Sequence, residues 1–82
     1  MAERLTITRT RRWGNSEIQI NNVYSALRSK VKMDQVIRMA NDMITKENMI
    51  VNEEIEYEVL MSRDNGTTEF IHRVEKKGKR SI

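Results

Sequence analysis

The sequence predicts a small single domain of the α+β class, with one or more N-terminal strands, a central helix or helix pair and a C-terminal antiparallel β-hairpin. Three patterns predict this class. Apolar and polar residues alternate over residues 5–11 and again over 54–61, as in half-buried strands. Apolar residues within 34–46 recur at the spacing of one helix face. Asn65-Gly66, followed by a second β-prone run, is a strong hairpin signal.

The C-terminal hairpin is the best-defined element, because Asn-Gly tolerates the positive φ values that a two-residue type I′ turn requires. A turn with Asp64 opposite Thr67 sets every other pair in the two strands. One side is apolar and requires cover by a helix or a second sheet. That side pairs Met61 with Phe70, Val59 with His72 and Tyr57 with Val74, and the other pairs Leu60 with Ile71 and Glu58 with Arg73.

The first strand is predicted from Leu5 to Arg11, and Trp13-Gly14-Asn15 is typical of the turn that follows. Its inward positions change from apolar residues to Arg9 and Arg11, so we expect the strand to leave the core at Arg9.

Residues 16–20 fit two structures. Alternation of Ile18 and Ile20 with polar residues indicates a strand, whereas Ser16 and Gln19 have the spacing of a helix capping box. We favour the strand. Asn22 would then cap a short helix over residues 23–29.

The clearest helix is predicted from Asp34 to Lys46, with Met33 as a hydrophobic staple and residues 28–32 as a kink or short loop before it. Its apolar face comprises Val36, Ile37, Ala40, Met43 and Ile44. Methionine commonly fills irregular gaps in cores, so we expect core packing of Met33, Met39, Met43 and Met49.

Length and composition limit the number of domains, the available chemistry and the cellular location of the protein. Residues 1–77 are expected to form one domain, and residues 78–82 a mobile basic tail. The absence of cysteine removes disulfides and thiolate chemistry. No apolar run reaches the length of a membrane span or a signal-peptide core, which predicts a cytoplasmic protein without a membrane partner.

Charge is distributed unevenly along the chain, whose net charge is +3. Residues 1–15 carry three net positive charges and residues 70–82 carry four, while residues 47–69 carry six net negative charges. The basic ends can therefore bind a polyanion or fold back on the acidic middle of the chain, and both interpretations stay open.

Catalytic chemistry is difficult to build from this sequence. His72 is the only histidine, and a mid-strand histidine among apolar neighbours is usually a packed or surface residue. Glu54, Glu56 and Glu58 share one strand face, which is typical of a solvated or salt-bridged surface. Neither a glycine-rich phosphate loop nor metal-ligand spacing is present. We therefore predict a protein that is not an enzyme and has no cofactor or metal.

The strongest functional motif is the basic stretch from Thr8 to Ser16. It combines cations for phosphates, an aromatic ring for stacking and an amide for base edges. An exposed strand end, with the tryptophan covering the edge of the core, is the alternative. The predicted DNA-binding residues are Arg9, Arg11, Arg12, Trp13 and Asn15.

The stretch from Arg11 to Ser16, followed by Ile18 and Ile20, resembles the opening of MazE-type antitoxins of the AbrB-like swapped-hairpin family. The resemblance implies an intertwined dimer that binds DNA through N-terminal basic residues, with Arg11, Arg12 and Asn15 at contacting positions. The chain departs from the family pattern in lacking a proline near Asn21, in an added helix within residues 30–52 and in a basic rather than acidic tail.

Two functions follow as hypotheses. The first is a small homodimeric DNA-binding protein, a transcriptional regulator or antitoxin-like, because the apolar positions are few for a lone core. The second is a non-enzymatic adaptor or inhibitor of phage or mobile-element origin, which binds a partner protein through the hairpin edge or the Met-rich helix.

Overall fold

The computed structural model describes residues 2–14 and 17–79, except for the side chain of Glu17. One helix and four antiparallel strands confirm the predicted α+β class. The strands follow the order β2-β1-β3-β4 across the sheet. Their bounds are β1 Arg4–Trp13, β2 Glu17–Leu27, β3 Glu53–Ser62 and β4 Thr68–Lys77, with a 3-10 turn Arg28–Lys30 and helix α1 Met33–Thr45 between β2 and β3.

The helix covers one face of the sheet, which we call the inner face, by packing on β1, β3 and β4. Alternation along β1 directs Leu5 and Ile7 to this face, where both are fully buried. The opposite, outer face has no covering element among the described residues. The buried core comprises Leu5, Ile7, Val36, Ala40, Ile44, Ile55, Tyr57, Val59 and Met61.

Helix α1 agrees with its prediction to within one residue at each end. Val36, Ala40 and Ile44 are buried, while the four methionines expected in the core are partly buried against it. Met33 is the first helical residue rather than a staple outside the helix. The Gln35 side chain accepts a hydrogen bond from the Lys32 N–H at 3.3 Å, which satisfies one donor at the helix start.

Strand β2 confirms the strand interpretation for the described residues of 16–20, but the helix predicted over 23–29 is wrong. Residues to Leu27 stay paired with β1, and Asn22 accepts a hydrogen bond from the Thr8 hydroxyl at 3.1 Å instead of capping a helix. A bulge at Val23 places Tyr24 opposite Ile7. Pairing along β1 therefore overrides a helical spacing of apolar residues.

The hairpin turn has three residues, not the predicted two. The Arg63 N–H donates to the Thr67 carbonyl at 2.9 Å, and the Gly66 N–H donates to the Arg63 carbonyl at 3.0 Å. Within this turn only Gly66 has a positive φ, at 86°, whereas Asn65 accepts a hydrogen bond from the Thr67 N–H. This is a type I turn followed by a left-handed glycine, the usual three-residue hairpin loop.

The longer turn shifts the pairing next to it by one residue. Predicted pairs near the turn are wrong, since Met61 lies opposite Glu69 and Leu60 opposite Phe70. A bulge at Ile71 absorbs the shift. Beyond it, the predicted pairs Val59–His72, Glu58–Arg73 and Tyr57–Val74 are confirmed.

The two residues after β4 form hydrogen bonds with the first residue of β3 and with the residue before it. The Gly78 N–H donates to the Glu53 carbonyl at 2.8 Å, and the Asn52 N–H donates to the Lys79 carbonyl at 3.0 Å. A Cβ atom on Gly78 would collide with the Ile50 carbonyl oxygen. Residues 80–82 of the predicted basic tail lie outside the described residues.

We expect Gly66→Val to lower the free energy of unfolding by about 1–3 kcal/mol, because a β-branched residue is strained at positive φ. Gly66→Asn is the matched control, since asparagine adopts the left-handed conformation more readily. Thermal unfolding of both variants measures the difference. Equal melting temperatures for the two would contradict the left-handed assignment.

Candidate functional site

On the inner face, the C-terminal half of β1 contacts Glu47, a residue just after α1. Glu47 is the centre of a hydrogen-bonded network. Arg9 donates from Nε to Glu47 Oε2 at 2.6 Å and from Nη2 to Oε1 at 3.3 Å. The Tyr57 hydroxyl donates to the same carboxylate. The apolar core along β1 ends at Ile7, as expected, and Arg9 stays within the fold because this carboxylate gives its guanidinium a partner.

The network shifts the protonation equilibria of its members. The hydrogen bond from Arg9 is the largest effect on Glu47, and it lowers the pKa of that carboxyl against the opposing effect of burial. Burial, followed by the hydrogen bond to Glu47, raises the pKa of Tyr57 from 10.0 to about 12. At neutral pH the carboxylate is therefore ionised and the phenol is a donor.

We expect Tyr57→Phe to reduce the loss of stability at alkaline pH. The folded state holds the Tyr57 proton more tightly than the unfolded chain, so this contribution is complete below pH 10.0 and is lost as pH rises toward about 12. The parent should lose about 2 kcal/mol more than the variant across that interval. Urea unfolding of both proteins at several pH values measures it, and parallel pH profiles would contradict the assignment.

Arg11 forms the second inner-face ion pair, with Glu53 at the start of β3. The Glu53 side chain is fully buried, and its Oε1 also accepts a hydrogen bond from the Ile50 N–H at 3.4 Å. The Arg11 guanidinium lies 4.2 Å from the centre of the Trp13 ring, which is partly buried. The Trp13 ring thus covers the guanidinium of this ion pair.

On the outer face, Glu56 lies between two guanidinium groups. Arg12 Nη1 is 3.7 Å from Glu56 Oε2, while Arg73 bonds to Oε1 of the same carboxylate and to Glu75 at 3.2 Å. Glu56 is 8% exposed although it lies on the uncovered side of the sheet, as is Thr10 at 6%. Arg12, Arg73, Glu56 and Glu75 are therefore paired with one another on this face.

Strand geometry divides the predicted DNA-binding residues between two faces. Arg9, Arg11 and Trp13 lie on the inner face and Arg12 on the outer face, because side chains alternate along β1. Each of the three arginines has a carboxylate partner. This is the fold-back arrangement that the charge distribution left open. Asn15, the remaining predicted site residue, lies outside the described residues.

A feature that motif analysis missed is the exposed edge of β2. Ile18, Ile20 and Val23 are 58%, 64% and 41% exposed. Residues 18–27 contain no charged side chain, although 33% of the chain is charged. This uncharged run is the feature of the sequence that could have indicated the exposed edge. The opposite edge, β4, carries Glu69, Arg73, Glu75, Lys76 and Lys77, as protected edge strands commonly do.

Within residues 2–14 and 17–79, every buried polar side-chain atom has a hydrogen-bond partner, and no group of three or more acidic or histidine side chains is arranged to hold a metal ion. His72 Nε2 lies 3.1 Å from Asn41 Oδ1 of α1. In the same part of the chain, no helix combines the length and apolar character required to cross a membrane.

Comparison with known proteins adds no relative to this description. No protein-family model, no curated protein and no solved structure matches the chain. The likeness to MazE-type antitoxins accordingly stays a resemblance carried by the stretch from Arg11 to Ser16 with Ile18 and Ile20.

Proposed function

We propose that the protein is a small non-enzymatic interaction module that binds a protein partner along the exposed edge of β2. The observation that carries this proposal is the contrast between the two sheet edges. The β4 edge is charged, while β2 presents exposed Ile18 and Ile20 with no charge over residues 18–27.

Edge strands explain how such a surface binds. The edge of a sheet presents backbone N–H and C=O groups that an added strand can pair with, and alternate side chains then select the partner. Ile18 and Ile20 project from the same face, so an added strand would bury both together.

The Met-rich helix and the hairpin edge, which the sequence suggested as adaptor surfaces, are less suited to binding a partner than the β2 edge. Met33, Met39 and Met43 pack against the core, so they are largely used within the domain. The hairpin edge carries both positive and negative side chains, which is typical of protection against strand addition.

A position-specific photo-cross-linking experiment tests the proposal. A photoreactive amino acid replaces Ile20 on β2 or, as the matched control, Phe70 on β4; both are outer-face residues more than half exposed. In cells that produce the protein, we expect a discrete cross-linked protein from position 20 and not from position 70. An Ile18→Lys substitution should abolish it. The same products from both positions, or from position 70 alone, would refute the β2 assignment.

DNA binding is a second candidate, and one observation favours it for Arg12 in particular. The Arg12 side chain is 48% exposed, and its partner Glu56 has a second guanidinium partner, Arg73. Arg12 can therefore contact a phosphate without leaving a buried carboxylate unpaired.

We expect Arg12→Ala to flatten the salt dependence of duplex-DNA binding by about one unit of log K against log salt concentration for each phosphate that the arginine neutralises. Arg38→Ala, an exposed change on α1, is the control. Asn15→Ala should instead weaken discrimination between sequences, since amides read base edges. Fluorescence anisotropy measures both. Binding that survives Arg12→Ala unchanged but disappears on removal of residues 80–82 would assign it to the basic tail.

A further inference from the structure

We propose that the partner of the β2 edge is β2 of a second copy, paired antiparallel about a two-fold axis at Gln19. This inference rests on the proposed function, because it names the partner of the same edge. It gives the homodimer expected from the sequence a specific interface, in which two four-stranded sheets join into one continuous sheet.

The register follows from the positions of the exposed isoleucines. In an antiparallel pair about Gln19, Ile18 of each copy lies opposite the partner's Ile20, so four isoleucines meet on the outer face. An axis between two residues would place outer-face residues opposite inner-face ones. An axis at Ile20 would place Ile18 opposite the partner's Asn22. The Gln19 axis therefore gives the better apolar match.

Residues of β1 extend the contact on both sides of the four isoleucines. Arg12 lies beside Ile18, and Thr10 lies beside Ile20, on the same face of β1. Each row across the joined sheets would run from Arg12 through Ile18 and the partner's Ile20 to the partner's Thr10. The polar ends of the rows surround the apolar centre, as in most protein interfaces.

Charge favours self-association at this edge over the other. The Gln19 axis places no two charged positions opposite each other, because residues 18–22 carry no charge and position 17 falls opposite the partner's Asn21. Two β4 strands would instead juxtapose edges that each carry several charges. The bulge at Val23 also confines regular pairing to the part of β2 before it, which is centred near Gln19.

Analytical ultracentrifugation over a dilution series tests the dimer with the full chain. We expect a reversible change between the monomer mass of 9.7 kDa and twice that mass. Ile20→Lys should remain monomeric at all concentrations, because the Gln19 axis places each lysine ammonium opposite the partner's apolar Ile18. Phe70→Lys, on the opposite edge, should dimerise like the parent. Circular dichroism establishes that each variant is folded.

Two further variants test the register itself. The double variant Ile18→Glu/Ile20→Lys should recover the dimer, because an axis at Gln19 places each new carboxylate opposite the partner's new ammonium. Gln19→Cys should form a disulfide-linked dimer, since directly opposed strand residues have Cα atoms about 4.5–5.5 Å apart, within the range of a disulfide. The native chain has no cysteine, so the cross-link is unambiguous. Asn21→Cys is the control and should cross-link far less.

The outcomes separate the two proposals. A parent protein that is monomeric throughout, without a Gln19→Cys cross-link, overturns self-pairing, as does a dimer that persists in folded Ile20→Lys. Cross-linking at position 20 to a different protein would then still support the proposed function. Absence of any cross-linked protein at that position would refute both.

Discussion

Arg11→Ala is expected to lower the free energy of unfolding by about 2–4 kcal/mol. The Glu53 carboxylate is fully buried, and Arg11 supplies its only ion pair among the described residues. Truncation of Arg11 leaves the Glu53 carboxylate with one hydrogen bond from the described residues, donated by the Ile50 N–H, and removes the cation from the Trp13 ring. The expected cost is below that of a completely buried pair because the Arg11 side chain is 28% exposed. Equilibrium unfolding in urea measures it.

A double-mutant cycle identifies the cause. The Arg11→Met/Glu53→Met variant should recover much of the stability, because an apolar pair replaces a buried charge that is left without a partner. Arg12→Ala should cost less than about 1 kcal/mol, since Arg12 is half exposed and Glu56 retains Arg73. Equal losses of stability for Arg11→Ala and Arg12→Ala would show that burial of Glu53 does not decide their effects.

This difference affects how any DNA-binding experiment is interpreted. Weaker binding by Arg11→Ala would follow from unfolding as readily as from the removal of a phosphate-binding group, whereas weaker binding by Arg12→Ala would follow from the second cause alone. Arg12 is therefore the informative position among the three arginines of the motif.

Glu47→Ala is expected to cost about 2–3 kcal/mol, because it removes the acceptor for both the Arg9 guanidinium and the Tyr57 hydroxyl. It also removes the contact that attaches the segment after α1 to β1 and β3. Glu47→Gln retains an acceptor oxygen but no charge, so its loss of stability at neutral pH should be smaller. Urea unfolding at neutral pH compares the two variants. Indistinguishable stability of Glu47→Ala and the parent would contradict the role assigned to this network.

Acid unfolding should distinguish Glu47→Gln from the parent as well. Because the folded protein lowers the pKa of Glu47, the ionised carboxylate contributes stability above the ordinary glutamate range, and this contribution is lost as pH falls through the lowered pKa. Glu47→Gln lacks this contribution, so its stability should fall less steeply with acidification. Unfolding measured from neutral to acidic pH gives the two slopes, and a steeper slope in the variant would contradict the sign.

The sequence by itself determined the fold class, the position of α1 and most of the hairpin register. These follow from local periodicity, since apolar residues at helical spacing in 34–46 and at strand spacing in 54–61 each allow one way of burying a face. The uncharged run of residues 18–27 was also visible in the sequence, but the sequence did not show that this run lies at an edge of the sheet. Whether a strand lies at an edge depends on the order of strands in the sheet.

The tertiary structure alone decided which of several locally acceptable conformations was adopted. Val23–Leu27 could form a helix or a strand, and pairing with β1 made it a strand. Asn65-Gly66 could form a two- or three-residue loop, and the bulge at Ile71 let the longer loop coexist with the Tyr57–Val74 pairing. Arg9 and Arg11 could bind DNA or acidic side chains, and the fold brought Glu47 and Glu53 to them. Such choices depend on residues distant in the chain, because a long-range pair stabilises one local conformation over another that the nearby residues permit almost equally.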